Sequence, residues 1–482
     1  MEFVKLFQPF LIASALGSLG LLTLMHIAEK PIRGLLFFLI AFYLFPTSLG
    51  LTSLSWWIYI AILFITLVGA YTRELTFPLK DRRFPRIALS SLIIIFLFIT
   101  SIIISSWNQL GDPIFWSLSK DAEAFVARSY YFAFITGFMI IFTVPIILRT
   151  EEQFNVFMKL FFILGLIIAI WGISEQIAGI EFFADLRGGL VSQPIRLSTL
   201  PNGSATSCAI FLLVPGLIGA YKLVYDKESR SFLLTFTTLI ILTALVWTFA
   251  RAAFIGAFMS LGILALVAPI SIRLKTIFMM IGIIAIIMVY LLGFRFPTSN
   301  DTLLANPYLS WMLVDTDIER REDTTFNPID ATDLYGRLGR WELALATMND
   351  SPIIGFGLGT NVREVNIRRS IGIAGGIGSM FSSNHNSYID IGIDLGIVGI
   401  SILWLMILWT FKNFITAFSE AKKNNFTSLK FNSMILSLIL PAIIVTYSFN
   451  SDRGVPFIFL AFALSISLLN ITKENSLNNA QL

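Results

Sequence analysis

Apolar runs of about twenty residues recur along the whole chain, and each is long enough to cross a bilayer as a helix. The run LSSLIIIFLFITSIIISSW, residues 89–107, does not alternate between polar and apolar residues, which argues against the strands of a membrane barrel. Of the 482 residues, 56% are hydrophobic and 13% are charged, and this charged share is about half that of a soluble domain. We therefore expect an all-α polytopic membrane protein.

The hydropathy pattern predicts thirteen spans and one long connection. The spans lie near residues 8–27, 34–50, 53–72, 87–106, 124–148, 156–178, 205–224, 232–249, 252–269, 275–293, 386–411, 432–449 and 454–471. Segment 8–27 lacks a strong basic n-region, so we interpret it as a retained helix rather than a cleaved signal peptide. The chain thus divides into ten helices over 1–293, a loop over 294–385, and three helices with a cytoplasmic tail over 386–482.

Basic residues identify one side of the membrane, because short cytoplasmic loops are rich in lysine and arginine. One set of alternate loops holds most of them: Lys30, Arg33, Arg73, Lys80, Arg82, Arg83, Arg86, Arg149, Lys222, Lys227, Arg230, Arg273, Lys275, Lys412, Lys422, Lys423, Lys430 and Lys473. We predict that this set is cytoplasmic and that the N-terminus and the loop 294–385 lie outside. In that loop, DATDLYGRLGRWELALATMND, residues 330–350, predicts an amphipathic helix.

Arginine replaces lysine in and around the long loop. No lysine occurs between Thr276 and Phe411, and the planar fork of arginine suits phosphate or carboxylate. Arg340 and Trp341 follow Arg337 by three and four residues, so all three lie near one face of the predicted helix. An aromatic ring among arginines suits a glycan or diphosphate surface, and it equally suits ordinary packing with snorkelling arginines.

Two further arginines precede predicted helices at the outer side. Arg251 is the one charge in the apolar stretch 232–269, which is too long for one span and predicts two helices joined by a tight turn. An ionisable residue at such a depth is a functional candidate, and the alternative is an interfacial anchor. Arg196 precedes the turn at Pro201 and Asn202, where function and simple turn chemistry are both open.

His385 is one of only two histidines, and it stands where a polar loop enters an apolar run. Histidine titrates near neutral pH and can accept a proton from a hydroxyl group. The alternative is a boundary histidine that hydrogen-bonds to water. Asp390 and Asp394 follow on the helix face predicted to point away from His385, so we assign them to structure or to acceptor contacts.

Metal and thiol chemistry have little support in the sequence. The single cysteine, Cys208, excludes an internal disulfide and a thiolate metal cluster. The pair Asp315 and Asp317 has the spacing of a metal site in some sugar transferases, but this spacing is frequent by chance. We expect no metal and no cofactor.

The motifs resemble those of the O-antigen ligase and O-antigen polymerase superfamily. The corresponding residues are His385-Asn386, nine residues and then Gly396-x2-Gly399; Gly336-Arg337 to Trp341 with Pro352, Gly355 and Gly357; Ala250-Arg251-Ala252; and Arg196 with Pro201-Asn202. Small neighbours of Arg251 are alanine here, where the family has serine and glycine. Four motifs in the family's order therefore lie between residues 196 and 399.

This resemblance implies a GT-C-like bundle of about 12–13 transmembrane helices in the bacterial inner membrane, with its active site facing the periplasm. Such proteins transfer a glycan from undecaprenyl diphosphate to an acceptor sugar, with inversion and without metal or nucleotide. The resemblance makes His385, Arg251 and Arg337 catalytic. The candidates for substrate binding are Arg340, Trp341, Arg196, Asn386 and Tyr388.

Several functions stay open within this interpretation. A polymerase is favoured over a ligase because nothing specifies a lipid A core acceptor, and a protein O-glycosyltransferase is a third alternative. A flippase or exporter would carry charges inside several spans, which are almost bare here. The expected partners are the lipid-linked glycan donor, a glycan acceptor, the lipid bilayer and other polysaccharide assembly proteins, but no nucleic acid.

Overall fold

The computed structural model describes residues 30–44, 52–76, 89–107, 122–178, 197, 205–225, 232–248, 250–293, 333–361, 363–365, 367, 386–448 and 455–481. Its helices are α1 (Pro31–Leu44), α2 (Thr52–Thr76), α3 (Leu89–Ser105), α4 (Ala122–Ile147), α5 (Glu151–Ala178), α6 (Ala205–Tyr225), α7 (Phe232–Trp247), α8 (Arg251–Val267), α9 (Ile270–Gly293), α10 (Asp333–Met348), α11 (Ser387–Lys423), α12 (Thr427–Ser448) and α13 (Val455–Gln481). The predicted span 8–27 lies outside the described residues. Each of the other predicted spans overlaps one of these helices, and α10 lies where the loop helix was predicted.

Most of these helices are apolar along their length. Six of them, α4, α5, α6, α11, α12 and α13, are long and apolar enough to cross a bilayer, and shorter apolar helices accompany them. Large side chains such as Phe96 and Phe278 are 68% and 70% exposed, as expected of a surface that faces lipid. The prediction of an all-α polytopic membrane protein is confirmed.

Aromatic packing joins α3, α4 and α13 inside the bundle. The ring of Phe459 lies 6.1 Å from the ring of Phe98 and 5.7 Å from that of Phe134. Gly137 leaves room for this ring, since a Cβ at that position would lie 2.5 Å from Phe459. Aromatic pairs of this kind contribute roughly 0.5–1.5 kcal/mol beyond the burial of their area. They give α11, which contacts both α3 and α13, a fixed support.

Helices α8 and α12 run in opposite directions with their backbones close together. A Cβ on Gly256 would lie 2.6 Å from the carbonyl oxygen of Ala442. One turn further along α8, Ser260 donates a hydrogen bond to the carbonyl of Leu438, one turn earlier along α12. Small residues permit this approach, as in other membrane helix pairs. The pairing places Arg251, the first residue of α8, beside the end of α12.

Two asparagine–serine pairs set the register between α11 and α13. Asn413 donates to Ser465 at 3.2 Å, and Asn424 donates to Ser476 at 2.7 Å. Both pairs are 52 residues apart in sequence, so the two helices run parallel. In this register, the start of α13 is level with Leu403 of α11.

The described lysines distinguish the two ends of the bundle. Lys222, Lys275 and Lys422 lie near the end of α6, near the start of α9 and at the end of α11. Consecutive spans alternate in direction, so these positions share one end, which we call the lysine end. The opposite end, where α3, α7 and α12 terminate, is called the site end.

Candidate active site

The helix that follows the predicted catalytic histidine is broken in two. Gly396, inside α11, has φ 65° and ψ −166°, a conformation that residues with side chains avoid. Across this break, the rings of Tyr388 and Trp404 stack with centroids 5.4 Å apart. Similarly, a Cβ on Gly392 would lie 2.7 Å from Ile400. The members of each pair are equally far from Gly396 along the chain, so α11 is a hairpin with its turn at Gly396.

The half-helix, residues 387–395, runs back along the long segment, residues 397–423. A helix rises 1.5 Å per residue, so Asn386 lies about 15 Å from the hairpin turn, and the turn projects about 10 Å beyond the start of α13. The hydroxyl of Tyr388 donates to the carbonyl of Ile444, one turn before the end of α12, at 3.1 Å. Along the half-helix, the chain therefore runs from the level at which α12 ends and α13 begins outward to the turn.

This hairpin corrects the expected span over residues 386–411 with His385 at its outer end. The membrane-crossing segment begins instead at Ile397, and Asn386 lies roughly two and a half turns along it. His385 lies outside the described residues and directly precedes Asn386 in the sequence. Both halves of α11 are apolar, so hydropathy does not reveal the reversal between them.

The hairpin turn exchanges backbone hydrogen bonds with the loop 351–361. A break inside a helix leaves N–H and carbonyl groups without their helical partners, and these groups need partners when buried. The loop supplies them in both directions. Four N–H groups donate to carbonyls: Phe356 to Ile393, Gly357 to Asp394, Ile397 to Pro352 and Val398 to Ile353, at 2.9, 2.9, 2.8 and 3.3 Å.

Two motif glycines allow this contact between loop and turn. A Cβ on Gly396 would lie 2.3 Å from the carbonyl oxygen of Ile353, and a Cβ on Gly355 would lie 2.4 Å from the backbone of Asp394. Gly355 also has a positive φ of 72°. The two glycine motifs, about forty residues apart in sequence, thus meet at one junction, where backbone packs on backbone.

The side chain of Asp394 ties the same loop from within the hairpin. It is fully buried, and its carboxylate accepts the N–H of Gly359 at 2.7 Å and the N–H of Asn361 at 2.8 Å. The side-chain amide of Asn361 donates to both carboxylate oxygens at 3.1 Å. Asn361 is itself fully buried. A buried carboxylate is tolerated where N–H donors surround it in this way.

Helix α3 fastens this junction to the bundle through two serines at its site end. Ser105 donates to the carbonyl of Asp394 at 2.8 Å, and the N–H of Leu358 donates to the hydroxyl of Ser106 at 3.0 Å. The hairpin turn and the loop are thereby attached to a span that lies elsewhere in the sequence.

Helix α10 packs against the half-helix through a small apolar cluster. Ala344, Val365 and Ile393 are its buried members. A Cβ on Gly392 would lie 3.1 Å from the sulfur of Met348, so the last turn of α10 also contacts the half-helix. The predicted arginine-bearing helix and the segment that follows His385 are therefore neighbours.

The predicted residues of α10 lie before this contact. Arg337 and Arg340 are helical, and their side chains fall outside what the structure describes. Trp341 is half-buried and lies one turn before Leu345. Arg337 precedes the buried Ala344 by two turns, a distance of about 10 Å along the helix.

Arg251 occupies the site end of α8, half-buried and in the first turn of the helix. The N–H of Leu197 donates to the carbonyl of Trp247 at 2.8 Å, and Leu197 is buried. Arg196 is outside the described residues, but its neighbour in sequence is thus bound to the turn that precedes Arg251. Leu197, the residue after Arg196 in the sequence, thus contacts the end of α7, four residues before Arg251, and a role of Arg196 in the site stays a prediction.

Helix α12 contacts both α8, which begins with Arg251, and the half-helix. Gly256 of α8 contacts Ala442 and Thr446, and the acceptor of the Tyr388 hydroxyl, Ile444, lies between them. Arg251 is five residues before Gly256, which places it about 8 Å closer to the site end than the level of Tyr388. Both elements therefore flank the same end of α12.

Asn386 and Tyr388, predicted to bind substrate, have structural partners. Asn386 caps the half-helix, since its side-chain oxygen accepts the N–H groups of Tyr388 and Ile389 at 3.0 and 3.1 Å. Tyr388 bonds to α12 and stacks on Trp404. These contacts fix the start of the half-helix, and substrate binding by either residue stays a prediction.

The described residues contain no group of three or more His, Cys, Asp or Glu side chains able to hold a metal. Asp315 and Asp317 lie outside that part of the chain. Metal-independent chemistry stays a prediction.

The structure adds residues that the motifs did not single out for the site. The sequence predicts for Asp394 only structural or acceptor contacts, and its motifs include neither Asn361 nor Ser105. An acid within an apolar run is the signal that marks Asp394. Nothing in the sequence marks its partners, because they lie 33 and 289 residues away.

Part of the chain matches a known family model. Residues 236–405 match the family model described as O-antigen ligase. Three of the four motifs, all except the Arg196 loop, lie within the matched residues, and the predicted resemblance is confirmed. No curated protein matches the chain.

Proposed function

We propose that this chain, in which residues 236–405 match the O-antigen ligase family model, is a membrane polymerase of a surface polysaccharide. In this proposal it transfers a glycan from an undecaprenyl diphosphate carrier to an acceptor sugar at the outer face of the inner membrane. The supporting observation is the junction that holds the segment following His385 against α10, at the same bundle end as Arg251.

The proposed reaction is a single displacement with inversion. An acceptor hydroxyl oxygen forms a bond to the anomeric carbon while the bond from that carbon to the diphosphate oxygen breaks. His385 takes the hydroxyl proton, and the diphosphate leaves with the electron pair of the broken bond. General-base assistance of this kind typically contributes about 10²–10⁴-fold.

Arg251 and Arg337 are proposed to stabilise the departing diphosphate. Negative charge grows on the leaving group in the transition state, and fixed cationic donors lower the barrier where that charge develops. Guanidinium groups present paired N–H donors to phosphate oxygens and stay charged at all relevant pH values. Arg340, Trp341 and Arg196 are proposed to contact the glycan or the diphosphate near them.

The level of the half-helix start suits a lipid-linked donor. Asn386 lies near the level at which α12 and α13 terminate, not at the projecting hairpin turn. A polyprenyl diphosphate presents its charged group at the membrane interface while its tail stays among apolar side chains. This supports the proposal that His385, which precedes Asn386 in the sequence, acts on a sugar attached to such a diphosphate.

The acceptor decides between polymerase, ligase and protein transferase. Purified protein is given one lipid-linked repeat unit with no other acceptor, and the products are separated by size. A ladder of increasing length supports the polymerase. Transfer that begins only after a lipid A core or a protein acceptor is added would replace it with a ligase or a protein O-glycosyltransferase. Translocation of the lipid-linked unit without transfer would indicate a flippase or exporter.

A further inference from the structure

We propose that Asp394 is a positioning residue for the transfer reaction: its buried carboxylate locks the hairpin turn to the loop 351–361 and thereby sets where the half-helix places His385. This inference rests on the proposed function for its link to His385. The hydrogen bonds from loop 351–361 to the Asp394 carboxylate, which we call the lock, are a property of the fold.

The contacts of Asp394 converge from separate elements onto one residue. Its carboxylate receives the two N–H groups of Gly359 and Asn361 and the side-chain amide of Asn361. Its carbonyl receives the N–H of Gly357 and the hydroxyl of Ser105. One side chain and its own backbone therefore join loop, hairpin and α3.

Charge makes this connection hard to replace. An uncompensated carboxylate is costly to bury, and here N–H donors offset the loss of water. Asp390, one turn earlier on the half-helix, is also buried. The donors on loop 351–361 therefore offset the desolvation of Asp394, and losing them releases the turn.

A small tilt of the half-helix at the turn displaces its other end, which His385 precedes in the sequence. Its nine residues span about 13 Å, so a tilt of about 5° at the Asp394 end moves the other end by about 1 Å. A displacement of that size can reduce a catalysed rate about 10²-fold. The donor diphosphate, by contrast, is held by arginines on α8 and α10, so its binding depends less on the turn.

The first measurement compares steady-state kinetics of the wild type and Asp394→Asn. Asparagine keeps the size of the side chain but presents an amide N–H₂ to surrounding N–H donors. We expect kcat to fall about 10- to 100-fold, with the KM for the lipid-linked donor changed less than about threefold. The control is Asn413→Ala, which removes a buried hydrogen bond between α11 and α13 far from the turn and should leave kcat unchanged.

Epistasis tests whether Asp394 acts through His385. In a His385→Ala background, Asp394→Asn should cause no further loss of the residual rate, because the positioned group is gone. An equal loss in both backgrounds would overturn the proposal, as would a raised donor KM with an unchanged kcat.

A structural readout separates this inference from the proposed function. Cysteines replace Tyr388 and Trp404 in a Cys208→Ala background, and a short bifunctional thiol reagent reports whether the two halves of α11 stay together. We expect efficient cross-linking, and a several-fold lower yield when Asp394→Asn is added but not when Asn413→Ala is added. If the wild type transfers no glycan while this difference persists, the lock stands and the proposed function fails. Equal yields in both variants would overturn the lock.

Discussion

At the scale of single residues, the proposed chemistry depends on a few charged or titratable side chains. Arg251 begins a helix at the site end, and the backbone places Arg337 two turns before a contact with the half-helix. His385 directly precedes the capped start of that half-helix. Their roles follow from charge and proton transfer, which substitution tests one residue at a time.

Replacing His385 by alanine removes the proposed base. We expect the rate of transfer to fall at least about 10²-fold while the lipid-linked donor still binds. Lost donor binding would make His385 a diphosphate ligand instead, and a folded variant with near-native turnover would rule out both roles.

The pH profile of the wild type distinguishes the two roles of His385. A neutral imidazole is the active base, so the rate should decline as falling pH protonates the ring. A cationic ligand for diphosphate would give the opposite result, a decline as pH rises. Rates are measured across pH 5 to 9, with donor saturation checked at each pH.

Replacing Arg251 or Arg337 by lysine keeps the charge and loses the paired donors. We expect Arg→Lys to slow turnover and Arg→Ala to slow it further, because bidentate contact with phosphate needs the guanidinium fork. Transfer rates are compared at saturating donor. Full activity of a folded Arg251→Ala protein would make Arg251 an interfacial anchor.

At the scale of elements, the hairpin of α11 depends on one backbone conformation. Gly396→Ala places a Cβ 2.3 Å from the carbonyl oxygen of Ile353 and forces an unfavourable φ and ψ. We expect a loss of about 1–3 kcal/mol in stability, seen as a lower thermal unfolding midpoint in detergent. The matched control is Gly262→Ala in α8, where a Cβ has no neighbour within 4 Å. Equal midpoints for the two variants would contradict a strained turn.

At the scale of the whole molecule, lysine collects at one end and the candidate site at the other. From the positive-inside tendency we predict that the site end lies outside. Cysteine at Asn349, an exposed position after α10, should react with an impermeant thiol reagent in intact spheroplasts. Cysteine at Lys422, exposed at the lysine end, should react only after permeabilisation. Native Cys208 is buried and is replaced by alanine as a precaution. The reverse labelling pattern would invert the topology.

The sequence by itself determined the membrane character, the positions of the described spans except the one predicted over 386–411, and the residue types at the candidate site. Long apolar runs leave helices as the available spanning structure, and charge patterns are local properties that a sequence displays directly. The family resemblance, too, depended on short motifs such as that around Arg251, which need no knowledge of packing.

Only the tertiary structure decided how those motifs combine. The reversal at Gly396 is invisible to hydropathy because the half-helix and the long segment are both apolar. The pairing of Gly355 with Asp394, and of Asp394 with Asn361, joins residues that are far apart in sequence and carry no shared periodicity. Backbone groups released by the helix break found their partners in a distant loop, because a buried N–H or carbonyl group must be satisfied wherever the fold offers a partner.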